Sequence, residues 1–454
     1  MRALARVVNR LTGGPLFYGW YIVLAGGSTN VLVGGVIGFS FGVFIEPIRD
    51  EMGWTVAAIT IGYSLRAFES GLMAPFTGYL VDRLGPRRMA IGGLLIVFVG
   101  MLYFASAQTL WHYYAASLVI AVGQSASGFT PFSAAVMNWF QRGRPRAMGL
   151  LFSGNAAGYM MAPVVAALIV QFGWRGTLVI AAFAILAVGL PMAFVLRDRP
   201  EPYGMHPDGI DPEDASRADE RSMHVASTSG MSVGEAFRTP ALYLLAAAIT
   251  FGGTTQNVWI VHQVPHLQDV GFSAVHAGLA VAMYGALQIP GRFFFGYVAD
   301  FFGRKRTYIA CFIAQGIGLL IFANVTSERS WMLALFYPFY VFGHGLYVVL
   351  FMTLIADYFG SARFSTIRGV AMMAQMPFGV AFPIIAGMVF DRTGTYQGIF
   401  MIFGALVMVS ALCVALVRRP FWAEVVARER LRITSPAGDA QPPEEPPATP
   451  PPRR

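Results

Sequence analysis

Long apolar runs, interrupted by short polar segments, organise the chain. They predict helices near 18–45, 55–80, 89–106, 113–137, 147–170, 176–196, 241–261, 275–298, 307–325, 331–356, 368–390 and 397–417. Most have the ~20 residues that a helix needs to cross a bilayer core. A transmembrane β-barrel would show alternating segments of ~10 residues, and the chain has none. The pattern therefore predicts an all-α membrane protein with twelve transmembrane helices.

A polar stretch splits the twelve into six plus six. Residues 197–238 carry Asp, Glu, Ser, Pro and Arg with little apolar periodicity, as in "RDRPEPYGMHPDGIDPEDASRADERS". Such composition predicts a largely disordered tether. The end of the chain, "QPPEEPPATPPPRR", is Pro-rich and predicts no packed core. The expected layout is an N-terminal segment over 1–17, a six-helix bundle over 18–196, a linker over 197–240, a second bundle over 241–417 and a tail over 418–454. The halves echo each other: "GYLVDRLGPRRM" (78–89) reappears as "GYVADFFGRKRT" (296–307), both closing the second helix of a half. A weaker echo joins "FGWRG" to "TYQG". Internal duplication of this kind marks secondary transporters, with the site near the midplane between the halves. Two pseudo-symmetric bundles are expected.

Composition agrees, since charged residues make up only 12% of the chain against about 25% in soluble domains. Charge placement then orients it. Of the 32 arginines and lysines, 26 fall on the side that holds both termini, four in the opposite loops, and two (Arg66 and Arg292) inside helices. This asymmetry predicts both termini in the cytoplasm of a cell inner (plasma) membrane protein. The net charge of +8 is thus topological and gives no sign of nucleic acid. No short apolar core with a cleavage site follows "MRALARVVNR", so the first helix is expected to remain in the chain. Cys311 and Cys413 lie in separate apolar segments and suggest neither disulfide nor metal spacing.

"GYLVDRLGPRR" resembles the loop motif of the major facilitator superfamily. "NWFQRGRPRAMGLLFSGNAAGYMMAP" (138–163), "SFGVFIEP" and "FGWRG" resemble its monocarboxylate and oxalate/formate carrier branch. The resemblance implies alternating access and a cytoplasmic gate. In it Asp82, Arg83 and Arg88 would engage the region of Arg368, and Asp300 with Arg306 the region of Arg146. The second copy departs from the first, with Phe301 in place of Arg83. The resemblance also implies that Arg292 binds a substrate carboxylate. An arginine at the centre of a spanning helix costs about 2.5–3.5 kcal/mol on insertion scales, and its planar fork matches a carboxylate. A purely structural arginine is the alternative.

Other positions depart from the branch. Gln288 stands where many monocarboxylate carriers have an Asp, and Gln375 where oxalate exchangers have a Lys. The single lysine is Lys305, in a loop. One central arginine suits one carboxylate. Tyr284, Asn257, Tyr340, His344 and Tyr347 complete the candidate substrate residues, with a helix-packing role open for His344. Arg66 and Glu69 are three apart and share a helix face. They are either a self-neutralised pair or, with Glu69 taking and releasing a proton, the coupling site. His262 and His266 make only a weak metal candidate, and no metal or cofactor is expected. G-x-x-x-x-G-K-[ST], H-E-x-x-H and G-x-S-x-G are all missing, which speaks against an enzyme. The expected partners are a small organic anion, protons and the lipid bilayer, with the chain acting as a monomer. A multidrug or metabolite exporter and a non-transporting membrane sensor are the competing functions.

Overall fold

The structure, a computed structural model, describes residues 17–141, 143–209, 231–360 and 363–418. Within these ranges the side chains at 74, 75, 145, 292, 293, 295–300, 364 and 365 fall outside the description. The first 16 residues and the tail from 419 therefore lie outside the described residues, as does 210–230 of the linker.

Among the described residues the chain is helical, with no extended strand. The first half comprises α1 (Tyr18–Val33), α2 (Phe41–Met52), α3 (Val56–Leu84), α4 (Pro86–Ala105), α5 (Leu110–Ser127), α6 (Phe129–Trp139), α7 (Arg144–Gly158) and α8 (Ala162–Val195). A short α9 (Val233–Phe237) leads into α10 (Pro240–Asp269), α11 (Ala274–Phe302), α12 (Arg304–Ala323), α13 (Met332–Phe359), α14 (Phe364–Met373), α15 (Gln375–Thr393) and α16 (Gln397–Leu416). Eight stretches among the described residues are long and apolar enough to cross a membrane. One of them, Arg146–Val195, runs for 50 residues. As a straight helix it would be about 75 Å long, more than twice the ~30 Å hydrocarbon core. Gly173, at φ 68° and ψ 170°, folds it back.

The expected first helix, 18–45, is not continuous. A π-helical turn over Gly34–Phe39 separates α1 from α2, with the Ser40 N–H bonded to the Gly35 carbonyl at 2.9 Å. Its sequence, GGVIGF, holds three glycines, and glycine lowers the helical propensity that would otherwise keep the i→i−4 ladder.

Packing follows the sequence duplication. In the first half α4 packs on α5 and α8, and α1 on α7 and α8. In the second, α12 packs on α13 and α16, and α10 on α15 and α16. The duplicated loop has one backbone geometry in both copies: Gly85 is at φ 84°, ψ 149° and Gly303 at φ 86°, ψ 137°. A side chain there would clash with its own backbone, so the repeat keeps glycine. Across the halves, α3 packs on α15, α8 on α11 and α2 on α10.

The expectation of a disordered linker is corrected at both of its described ends, because its polar side chains find backbone partners. The Arg197 guanidinium is sandwiched between Tyr18 and Tyr203, 4.0 and 3.9 Å from the ring centroids. Trp139 Nε1 donates to the Arg197 carbonyl at 2.8 Å. The Arg87 N–H donates to the Asp198 carboxylate at 3.2 Å. Asp208 accepts the N–H groups of Gln141 and Gly143 at 2.8 and 3.1 Å. Residues 197–209 are thus a strap on the first half. On the second half, Ser232 and Glu235 form a capping box that starts α9.

Candidate substrate cavity and gates

A cavity of about 440 Å³ opens between the halves, walled mainly by the first. The π turn contributes Gly34, Gly38 and Phe39 to its lining. Arg66, Glu69 and Ser70 come from α3, Gln124 and Ser125 from α5, and Asn155 from α7. Among the described residues, Asn257 on α10 lines it from the second half.

Arg66 and Glu69 do not pair, which corrects the self-neutralised alternative. Helical spacing puts both on one side of α3, but each takes a partner from a different neighbouring helix. Arg66 Nη1 donates to the Ile37 carbonyl in the π turn at 2.7 Å, and its guanidinium lies 5.0 Å from the centroids of both Phe41 and Tyr63. Glu69 accepts from the Ser125 hydroxyl at 3.0 Å, while its Oε1 is buried without a hydrogen-bond partner among the described residues. The acid is 6% exposed, and no described residue forms an ion pair with it.

The candidate residues of α11 and α13 meet one another away from the cavity. Gln288 Nε2 donates to the Tyr284 hydroxyl at 2.5 Å and contacts His344 Nδ1 at 2.7 Å, and Tyr284 also bonds His344 Nδ1. Tyr340 stacks on His344 at an interplanar angle of 7°, and Trp259 packs on Tyr284 and Tyr340. None of these five side chains lines the cavity. In this conformation they form an aromatic and polar layer, in which Tyr284, Gln288 and His344 Nδ1 bond one another. Tyr347 donates to Gln256 at 2.6 Å, linking α13 to α10. The Gln375 amide packs against Gly253 of α10. Arg292 lies one turn past Gln288 on α11, but its side chain, like that of Asp300, is outside the described residues. His262 and His266 direct Nε2 at the carbonyls of Pro383 and Phe322, at 2.9 and 3.1 Å. Among the described residues no His/Cys/Asp/Glu group could hold a metal.

Among the described residues the expected gate contacts do not form. Asp82, Arg83, Arg88, Arg146 and Arg306 are exposed, and Arg368 Nε is buried with no partner among the described residues. Arg83 donates to Tyr79 on its own helix at 3.1 Å. In the second copy of the loop, Arg304 pairs with Asp357 at 2.7 Å, and Lys305 Nζ bonds the Ala415 and Val417 carbonyls that end α16.

The opposite end is closed by a residue that the sequence reading missed. Asp391, at the end of α15, accepts the N–H groups of Val56 and Ala57 at 2.9 Å each and so caps α3 from the other half. The two helices touch there: a Cβ on Gly387 would lie 2.9 Å from Ala57. Nearby, a Cβ on Gly42 would meet the Val261 carbonyl at 2.6 Å, holding α2 to α10. An acid at a helix end beside the motif "DRTG" is the only trace of this cap in the sequence, and its partner lies 335 positions away.

Membrane-length helices, paired packing across a duplication and a polar cavity between the halves define a polytopic carrier. The family model described as Major Facilitator Superfamily matches residues 27–268 and 244–444, and the chain belongs to that superfamily as a transporter resembling its monocarboxylate branch. Monocarboxylate transporter 13 of Rattus norvegicus is 25% identical, over 86% of this chain and 87% of its own length. Monocarboxylate transporter 12 of the same species is 27% identical, over 75% and 73%. MFS transporter asaE of Aspergillus flavus is 26% identical, over 86% of each chain. A crystal structure of the nucleoside transporter NupG superposes with a TM-score of 0.68 at 15% identity, covering 87% of this chain and 99% of that one, a likeness of fold.

Proposed function

We propose that the chain is a secondary active transporter of a small organic anion, a monocarboxylate, working by alternating access and coupled to protons. It would cross the inner membrane twelve times as two six-helix bundles, 18–196 and 241–417, joined by the 197–240 linker, with both termini cytoplasmic. Arg292 would hold the carboxylate, and Glu69 would carry the proton. The observation that carries this reading is the cavity itself, where a buried acid with no described ion-pair partner faces the space between the two halves. The family and the names of the relatives supply the substrate class. Asp82, Asp300 and their arginines would latch the basic end in the other state, when the Asp391 cap is released.

Proteoliposome uptake of a labelled monocarboxylate panel, with and without an inward proton gradient, tests it. Wild type should take up at least one acid, and the gradient should stimulate that uptake. Arg292→Gln should abolish uptake, and Glu69→Gln should remove the response to the gradient. If no carboxylate moves while the same vesicles extrude dyes, the chain is an exporter. If Arg292→Gln transports like wild type, the arginine is structural.

A further inference from the structure

Four amide side chains face the cavity without using it for packing. Asn30, Gln124, Asn155 and Asn257 all line it. Gln124, Asn155 and Asn257 make no side-chain hydrogen bond among the described residues, and Asn30 Nδ2 is buried without a partner. The hydroxyls of Ser70 and Thr130 border the same space and donate to nothing described. Inside membranes such groups ordinarily bond across helices and act as glue. Here they sit on four helices and converge on one volume. That volume, about 440 Å³, lies in the roughly 300–1,000 Å³ range of pockets that enclose drug-sized ligands. A short acid such as propionate would fill little of it and would satisfy none of the amides beyond its carboxylate.

We infer that the anion carried is a carboxylate with a polyhydroxylated body, whose hydroxyls the Asn30, Gln124, Asn155 and Asn257 amides hydrogen-bond. The inference rests on the carboxylate reading above and narrows it to polar acids. Amides suit this task because each offers both a donor and an acceptor, and a hydroxyl needs both. Discrimination follows from unpaired groups: an unsubstituted chain of equal length would strip water from the amides and return nothing.

Equilibrium binding of labelled D-gluconate to the purified full-length chain tests this, with unlabelled hexanoate and sorbitol as competitors. Hexanoate has the same carbon count without hydroxyls, and sorbitol has the hydroxyls without the carboxylate. Labelled gluconate should bind saturably, hexanoate should need at least about tenfold more ligand to displace it, and sorbitol should displace it little. Gln124→Leu and Asn155→Leu, each checked for monodisperse elution, should weaken gluconate about three- to tenfold, the range of one lost net hydrogen bond. If hexanoate competes as well as gluconate, the polar-body inference is overturned and the carboxylate reading stands. If sorbitol competes as well as gluconate, the carboxylate reading fails instead. If gluconate does not bind, the inference falls outright, and labelled hexanoate then shows whether the carboxylate reading survives.

Discussion

At the scale of single residues, Arg66 and Glu69 separate what spacing determines from what it does not. Three positions apart on a helix, they must lie on one face, and both do line the same cavity. Spacing says nothing about what neighbouring helices bring to that face. The π turn offers Arg66 the Ile37 carbonyl between two aromatic rings, and α5 offers Glu69 a hydroxyl. A double-mutant cycle with Arg66→Gln and Glu69→Gln, read by thermal unfolding in detergent, should therefore give a coupling within about 0.5 kcal/mol of zero. Coupling above about 1 kcal/mol would mean that the two pair after all. Arg66→Gln alone should destabilise by about 1.5–3 kcal/mol, the worth of a charge-assisted hydrogen bond. The candidate residues Tyr284, Gln288 and His344 were visible in the sequence as polar groups in apolar helices. Their mutual bonding was not, since it depends on how α11 is turned toward α13.

Elements were legible where apolar length alone decides them. The all-helical, membrane-length character, the duplication and the glycines of the repeated loop could be seen. The break in the first helix was harder, because three glycines in six residues are common in membrane helices and only packing shows that the turn widens. The linker misled for a different reason: its first residues are polar because they bond backbone groups, and composition cannot separate that from solvation. The cap on α3 was illegible, since it joins the ends of two helices from different halves. It makes a clear prediction. An acidic cap is worth about 0.5–2 kcal/mol, and Asp391 gives it only while α3 and α15 touch. Asp391→Ala should thus shift the population toward opening at that end by about 2- to 30-fold. Spin labels on Asp50→Cys and Thr395→Cys, both exposed, should show a larger long-distance fraction in the mutant. An unchanged distance distribution would leave the closure to packing of α3 on α15.

For the whole molecule, orientation and conformational state differ in what specifies them. Orientation in such proteins is settled once, during insertion, by a summed asymmetry, which the expected twelve-span layout would put at 26 basic residues on one side against four on the other. Such a sum survives any local rearrangement, and for that reason it can be read from sequence. The state of the carrier cannot be read in this way. If the chain works by the proposed alternating access, one sequence must close either end in turn, so the closing contacts at each end have to be few and nearly balanced. The structure shows contacts between the halves at Asp391 and Gly387, and among the described residues none at Asp82 or Arg368 Nε. Orientation can be checked without reference to state, with single cysteines in a background where Cys311 and Cys413 are replaced by Ala. In intact cells a membrane-impermeant maleimide should label Ser330→Cys, at the end opposite the basic loops, and should label Arg88→Cys only after permeabilisation. Both positions are exposed, so a failure to label cannot be put down to burial. The reverse pattern would overturn the orientation and, with it, the assignment of the Asp391 closure to the outer face. With the expected pattern, the sealed end is the outer one, and on the proposed coupling Glu69 would exchange its proton with the cytoplasmic side in this state.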